Sequence, residues 1–333
     1  MKNKIALTGI KPTGLPHIGN YFGAIKPAIE LTQKYDARYF IADYHALNSI
    51  RDPKKIKEMT YEVAASWLAC GLDPQKALVY RQSQVPQTFD LTSILMAFTP
   101  KGLMNRAHAY KAKLAKNSEL NRDPDDGVNM GLFSYPVLMA ADILLFDSDV
   151  VPVGQDQKQH LEMTIDIAQS INHIYNKELL KIPEPIIHKT TQTVSGLDGR
   201  KMSKSYDNTI PLFLKPKKLK KLIMKIVTNS QTIEEPKDPD TCNVFALYKL
   251  FTNHAEQEEM KKKYRAGGLG WGHAKTALFE KMNEKLAPFR ENYSKIITDK
   301  EYIDKILDEG SKKAREIASK KMKMLKQNIG VGF

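Results

Sequence analysis

Short β-rich runs separated by helix-length segments recur through the first two-thirds of the chain, and this alternation restricts the fold more than any other feature. Ile5-Ala-Leu-Thr8 reads as a strand ending at Gly9, Arg38-Tyr-Phe-Ile-Ala42 as a second and Ala77-Leu-Val-Tyr80 as a third. Between the last two lies a helix with clear punctuation. Asp52 can cap it, Pro53 suits its first turn, and Gly71 can stop it. Ile56, Met59, Val63, Trp67 and Leu68 recur at helical spacing and should face the sheet. Strands alternating with helices predict an α/β fold built on a doubly wound parallel sheet. Such sheets bind ligands beyond the carboxyl ends of their strands, and Gly9, Asp43 and Gly154 all follow such ends.

Two regions depart from that alternation. Residues 90–130 are polar, basic and helical in pattern, with a loop at Asp123-Pro-Asp-Asp-Gly127, and read as an insertion between the halves of the sheet. After Pro211 the β pattern fades into lysine-rich amphipathic segments, where Ile303, Ile306, Leu307, Ala314, Ile317 and Leu325 are expected to pack as core. The expected division is a sheet-bearing unit over 1–206 and an α-helical unit over 207–333.

Charge follows the same division. The chain carries a net +13, of which +9 falls in residues 207–333. An excess concentrated in one part suits a polyanion such as nucleic acid, and a lysine-rich soluble surface explains it equally. The most apolar stretch, Tyr135 to Val153, contains Asp142, Asp147 and Asp149, which a membrane core would penalise. The basic N-terminus has too few apolar residues for a signal sequence, and Cys70 and Cys242 form neither a disulfide framework nor a zinc pattern. A cytoplasmic protein is expected.

The chemistry concentrates in two loops. After the first strand comes Gly9-Ile-Lys-Pro-Thr-Gly14-Leu-Pro-His-Ile-Gly19-Asn20. A strand, a glycine loop and a helix start make an anion site, because free backbone N–H groups and the helix dipole face the ligand. Gly14 and Gly19 have Walker A spacing, but Asn20 and Tyr21 stand where Lys and Ser/Thr are needed, so that reading fails. The second loop is Lys201-Met-Ser-Lys-Ser205, preceded by Gly196 and Gly199, which would let it close. Two lysines three residues apart, with hydroxyls between and beside them, can gather around a triphosphate.

Together, Pro-His-Ile-Gly-Asn and Lys-Met-Ser-Lys-Ser, in this order and at this distance, resemble the signature pair of class I aminoacyl-tRNA synthetases. Tyr135-Pro-Val-Leu-Met-Ala-Ala-Asp142 and Val151-Pro-Val-Gly-Gln-Asp-Gln157 extend the resemblance to the tryptophanyl-tRNA synthetases, along nearly the whole chain. It implies a Rossmann-like catalytic core and a C-terminal anticodon-binding region. It also implies ATP and Mg²⁺ in the reaction, L-tryptophan and tRNA(Trp) as partners, and a homodimer. Tyr135, Met139 and Asp142 share a helix face at i, i+4 and i+7. Tyrosine enzymes carry Gln at the middle position. An indole donates one hydrogen bond and accepts none, so an ionised Asp142 suits it, with the Met139 thioether against the ring.

By resemblance, ATP would meet Lys11, Pro12, Thr13, Gly19, Asn20, Gly154, Gln155, Asp156, Val194, Lys201, Met202, Ser203, Lys204 and Ser205. Gly19 would let adenine pack on backbone, and His17 and Asn20 would donate to phosphates. Tyr135 and Gln157 would hold the substrate's amino group, and Leu7 would line the tryptophan pocket. Lys204, Lys201, His17 and Lys113 would supply charge or donors to the reacting phosphates. Lys11 stands where many tryptophan enzymes have Gln, leaving phosphate or substrate carboxylate as its partner. His45, His108, His160, His173 and His188 read as structural. A tyrosine–tRNA ligase, a small-molecule adenylyltransferase and an inactive RNA-binding paralogue are the competing readings.

Overall fold

In the computed structural model, residues 4–154, 157–186 and 194–332 are described. Five strands form one parallel sheet: β1 (Ile5–Ile10), β2 (Asp36–Ile41), β3 (Ala77–Arg81), β4 (Val150–Pro152) and β5 (Glu184–Ile186), in the order β3-β2-β1-β4-β5. The chain winds outward from β1 in one direction through β2 and β3, then returns to β4 on the other side. The switch point between β1 and β4 therefore opens a crevice at their carboxyl ends.

Apolar side chains are buried on both faces of the sheet, as a parallel sheet requires. Tyr39 and Ile41 point into one core cluster, whereas Leu7, Phe40 and Tyr80 enter another. The expected strand end at Gly9 is corrected: β1 runs on to Ile10. Gly9 is small because Phe40, its register partner on β2, lies across it. A Cβ there would sit 2.5 Å from the phenyl ring.

The helix Pro53–Ala69 keeps its predicted punctuation. Asp52 accepts from the Lys54 and Lys55 amides, and Gly71 takes φ +103°. Val63 and Trp67 are buried, while Ile56, Met59 and Leu68 are half-buried.

The helical insertion is narrower than its sequence suggests. Gln87–Phe98 starts before residue 90 and buries Leu91 and Leu95 in the same cluster as Val137 and Ala141 of the helix Met130–Leu144. Only the part beyond it is polar, namely the helix His108–Glu119 and the turn at 124–127. Buried Asn117 holds that turn by donating to the Pro124 and Asp126 carbonyls.

Helices alone follow Pro211: Pro216–Ile223, Asn243–Lys249, His254–Ala266, Trp271–Ile296 and Lys300–Ile329. They share their core with the sheet, since Phe245, Leu278 and Ile303 join the cluster containing Tyr39 and Trp67. The last helix runs along β3. Gly310 lets its backbone approach so closely that a Cβ would meet the Val79 carbonyl oxygen at 1.8 Å. Arg81 adds ion pairs to Asp304 and Asp308 at 2.7 and 3.1 Å, and the exposed edge of the sheet is thereby covered. Among the described residues, no helix is long and apolar enough to cross a membrane.

Candidate active site

The two signature loops meet at the carboxyl end of β1 and are clipped together by backbone. Ile18 N–H donates to the Ile210 carbonyl at 3.0 Å, and Leu212 N–H to the Pro16 carbonyl at 3.0 Å. A side chain closes the same gap, with Lys204 Nζ donating to the Thr13 carbonyl at 2.7 Å. The result is an open cleft of about 410 Å³ lined by Leu15, His17, Glu62, Lys204, Asp207, Thr209 and Pro211.

Local chemistry fixes each loop. His17 caps the helix start: its Nδ1 accepts the Asn20 amide at 3.2 Å, and Asn20 Oδ1 accepts the His17 amide at 3.0 Å. Nδ1 thus carries no hydrogen, which leaves Nε2–H as the donor. Burial, with Lys204 nearby, pulls the His17 pKa down to about 4, so the neutral ring persists well below pH 7. The sign follows directly. Between about pH 4 and 6.5 the unfolded chain protonates this histidine and the folded one does not, so acidification through that window costs stability. We expect the His17 imidazole, followed by NMR, to titrate near pH 4, and a midpoint near 6.5 would contradict its burial beside Lys204.

Asn20 has spent its carbonyl on His17, so only its amide nitrogen remains to donate. The space beside Gly19 is also taken. A Cβ there would lie 2.9 Å from the His17 ring and 3.4 Å from Met202.

The lysine loop is organised by Asn208, a residue that the sequence reading missed. Its buried side chain accepts the Ser203 amide at 2.8 Å and donates to Asp198 at 2.7 Å and to the Lys201 carbonyl at 3.1 Å. Ser203 caps the turn Lys204–Tyr206, and its hydroxyl lies 2.8 Å from that of Ser205. Gly199 turns at φ +83°, whereas Gly196 is small because Asn208 packs on it. Met202 is buried and donates its amide to the Val194 carbonyl at 2.8 Å, so that carbonyl is already engaged. Lys201 and Lys204 are both exposed.

Apart from this cleft, Asp142 is the centre of a polar cluster. It is 2% exposed on Met130–Leu144, and Gln82 Nε2 lies 2.9 Å from both its oxygens. His45 Nε2 is 3.0 Å from Oδ2. Burial pushes this carboxyl up, and the His45 and Gln82 contacts oppose that shift by stabilising the anion. His45 and Gln82 follow the carboxyl ends of β2 and β3. Ser83 and Asp43 staple those two ends together, the Ser83 amide donating to Asp43 Oδ1 at 3.0 Å. His45, read from the sequence as structural, thus helps to fix the Asp142 carboxyl.

His160, likewise read as structural, ties two further polar side chains together. It lies 2.5 Å from the Tyr135 hydroxyl through Nε2 and 3.0 Å from Gln157 Oε1 through Nδ1. An amide oxygen only accepts, so Nδ1 carries the hydrogen that bonds Gln157. Burial raises the Tyr135 phenol to about 12, which keeps that hydroxyl protonated.

The remaining expected residues divide. Met139 is half-buried on the Tyr135–Asp142 helix, Gly154 is exposed just past β4, and Gln155 and Asp156 lie outside the described residues. Lys11 and Thr13 are exposed on the first loop and Pro12 is buried; partial desolvation lowers the Lys11 ammonium below its ordinary range. Leu7, expected at the substrate, is 1% exposed and sits in the core with Phe40. Lys113 lies over the turn of the insertion, its Nζ 3.2 Å from where a Gly127 Cβ would be, rather than against Lys204 or His17.

The switch-point crevice thus holds a histidine-capped glycine loop clipped to a Lys-Met-Ser-Lys-Ser loop. Residues 2–287 match the family model of class I tRNA synthetases for W and Y, and the chain belongs to that family. It is 49% identical to a tryptophan–tRNA ligase of Bordetella parapertussis over 99% of this chain and 74% of that protein. It is also 49% identical to the Fusobacterium nucleatum tryptophan–tRNA ligase over 98% of each. Among solved structures, tryptophanyl-tRNA synthetase from Campylobacter jejuni complexed with ADP and tryptophan superposes with a TM-score of 0.90. That pair shares 45% identity, covering 98% of this chain and 100% of the other.

Proposed function

We propose that this chain is a tryptophan–tRNA ligase, joining ATP, L-tryptophan and tRNA(Trp) into tryptophanyl-tRNA(Trp), AMP and pyrophosphate through a tryptophanyl-adenylate. The observation that carries the reading is the clip between the two loops, which brings His17 and Lys204 to one cleft at the switch point. The substrate carboxylate is already ionised at neutral pH, so no general base is needed. Its oxygen attacks the α-phosphorus, the α–β anhydride bond breaks, and pyrophosphate leaves with the electron pair. What the protein supplies is alignment and charge. Neutral His17 donates from Nε2, and Lys204 and Lys201 stabilise the charge that develops on the phosphates. Lys113 would join them only if the insertion moved toward the cleft.

By the family resemblance, Mg²⁺ is assigned to the nucleotide's own phosphates. Asp142, a buried carboxyl pushed up by desolvation against the opposing contacts of His45 and Gln82, is assigned the indole N–H, with Met139 against the ring. Tyr135 and Gln157, coupled through His160, are assigned the amino group. The basic C-terminal helices suit the anticodon region of the tRNA, and the family resemblance adds a cytoplasmic homodimer.

The tyrosine reading is disfavoured by Met139. Amino-acid-dependent ATP–pyrophosphate exchange, run in parallel with tryptophan and tyrosine, tests the proposal. Exchange with tryptophan alone is expected. Exchange with tyrosine alone, or with neither, refutes it.

A further inference from the structure

One wall of the phosphate cleft carries a charge of the wrong sign. Glu62 projects from Pro53–Ala69 into the cleft that also contains His17 and Lys204. The two side chains flank Gly14, which turns at φ +82° and has no side chain to interpose. A Cβ there would lie 3.6 Å from Glu62 Oε2 and 3.7 Å from Lys204 Nζ. Glu62 sits on a helix capped at its start by Asp52 and tied at its middle by the neighbouring Tyr61 hydroxyl, bonded to Asp304 at 2.8 Å. Lys204, by contrast, stands on a single turn and reaches across to the Thr13 carbonyl. Glu58 and Tyr293 also face the carboxylate. A site that only had to attract a polyphosphate would gain nothing from an acid here.

We propose that Glu62 is a positioning residue: a built-in counter-charge that holds the Lys204 ammonium over Gly14 while the cleft is empty and must be displaced by incoming phosphates. This rests on the reading of the cleft as a triphosphate site. The carboxylate weakens binding of ATP and of pyrophosphate alike, by stabilising the empty state and by repelling the bound anion. In return, pyrophosphate leaves readily once the adenylate has formed, because Lys204 has somewhere to go.

The test is calorimetric titration of Mg²⁺-pyrophosphate into wild type, Glu62→Gln and Glu62→Asp, with tryptophan affinity measured alongside. Glu62→Gln is expected to bind pyrophosphate about five- to tenfold more tightly, the scale of one partly solvated charge pair. Its KM for ATP in exchange should fall by a similar factor while tryptophan affinity stays unchanged, and Glu62→Asp should stay within about twofold of wild type. In a Lys204→Met background the gain should shrink, since only direct repulsion remains. Unchanged or weaker pyrophosphate binding in Glu62→Gln overturns the inference, as does an Asp variant that behaves like Gln. Wild type that binds no pyrophosphate would instead overturn the triphosphate reading beneath it.

Discussion

Lys204→Ala lowers tryptophan-dependent ATP–pyrophosphate exchange by roughly 10²- to 10³-fold, the usual loss on removing one group that stabilises charge in the transition state. Tryptophan affinity, measured by equilibrium binding, stays within about twofold, because the polar cluster at Asp142 shares no contact with Lys204. The substitution also removes the bond to the Thr13 carbonyl, but the two backbone clips at Ile18–Ile210 and Pro16–Leu212 remain. The loops therefore stay together, and the defect falls on kcat rather than on folding. Exchange at near wild-type rates in this variant would remove Lys204 from the mechanism.

Asp142→Ala produces the largest loss of amino-acid selection. Under the proposed assignment the indole N–H loses its acceptor, whereas the Gln82 amide and His45 ring lose theirs in the free enzyme too and so lower stability. An unpaired buried polar group costs about 1–3 kcal/mol, so kcat/KM for tryptophan should drop about 5- to 150-fold. The advantage of tryptophan over phenylalanine, which has no N–H to offer, should collapse with it. Steady-state kinetics with both amino acids reads this directly, with thermal unfolding as a check on folding. A change of less than about threefold in the tryptophan-to-phenylalanine ratio would show that the indole nitrogen is recognised elsewhere.

Much of this site is written locally, and that part was readable. Asp52-Pro53 and Gly71 bound a helix because capping and termination depend on neighbours a few residues away. The glycine and lysine loops are contiguous for the same reason, so their chemistry shows in the string of residues. Gly9 misled because the cause of its size, the Phe40 ring, lies thirty-one positions on. The helix Gln87–Phe98 was taken for polar insertion because only Leu91 and Leu95 carry its buried stripe.

The missed residues share one property: their partners are distant in sequence. His45 and Gln82 reach Asp142 from ninety-seven and sixty positions away, and Glu62 meets Lys204 across the fold. A partial signal existed. His45 and Gln82 stand just past the ends of β2 and β3, where a doubly wound sheet places its ligands. His160 follows Gln157 by one helical turn, and Asn208 lies three residues beyond Ser205. Each could have been nominated on position, though no local pattern gave its partner.

The account turns on two distant loops forming one vice for a triphosphate beside an indole pocket. Its most direct test is a single-turnover rapid quench with α-labelled ATP, Mg²⁺, tryptophan and enzyme in excess. Labelled tryptophanyl-adenylate should appear before any AMP, in amounts approaching one per active site, and only when tryptophan is present. Label that remains as ATP, or passes to AMP with no acid-labile adduct, would contradict the account at its root.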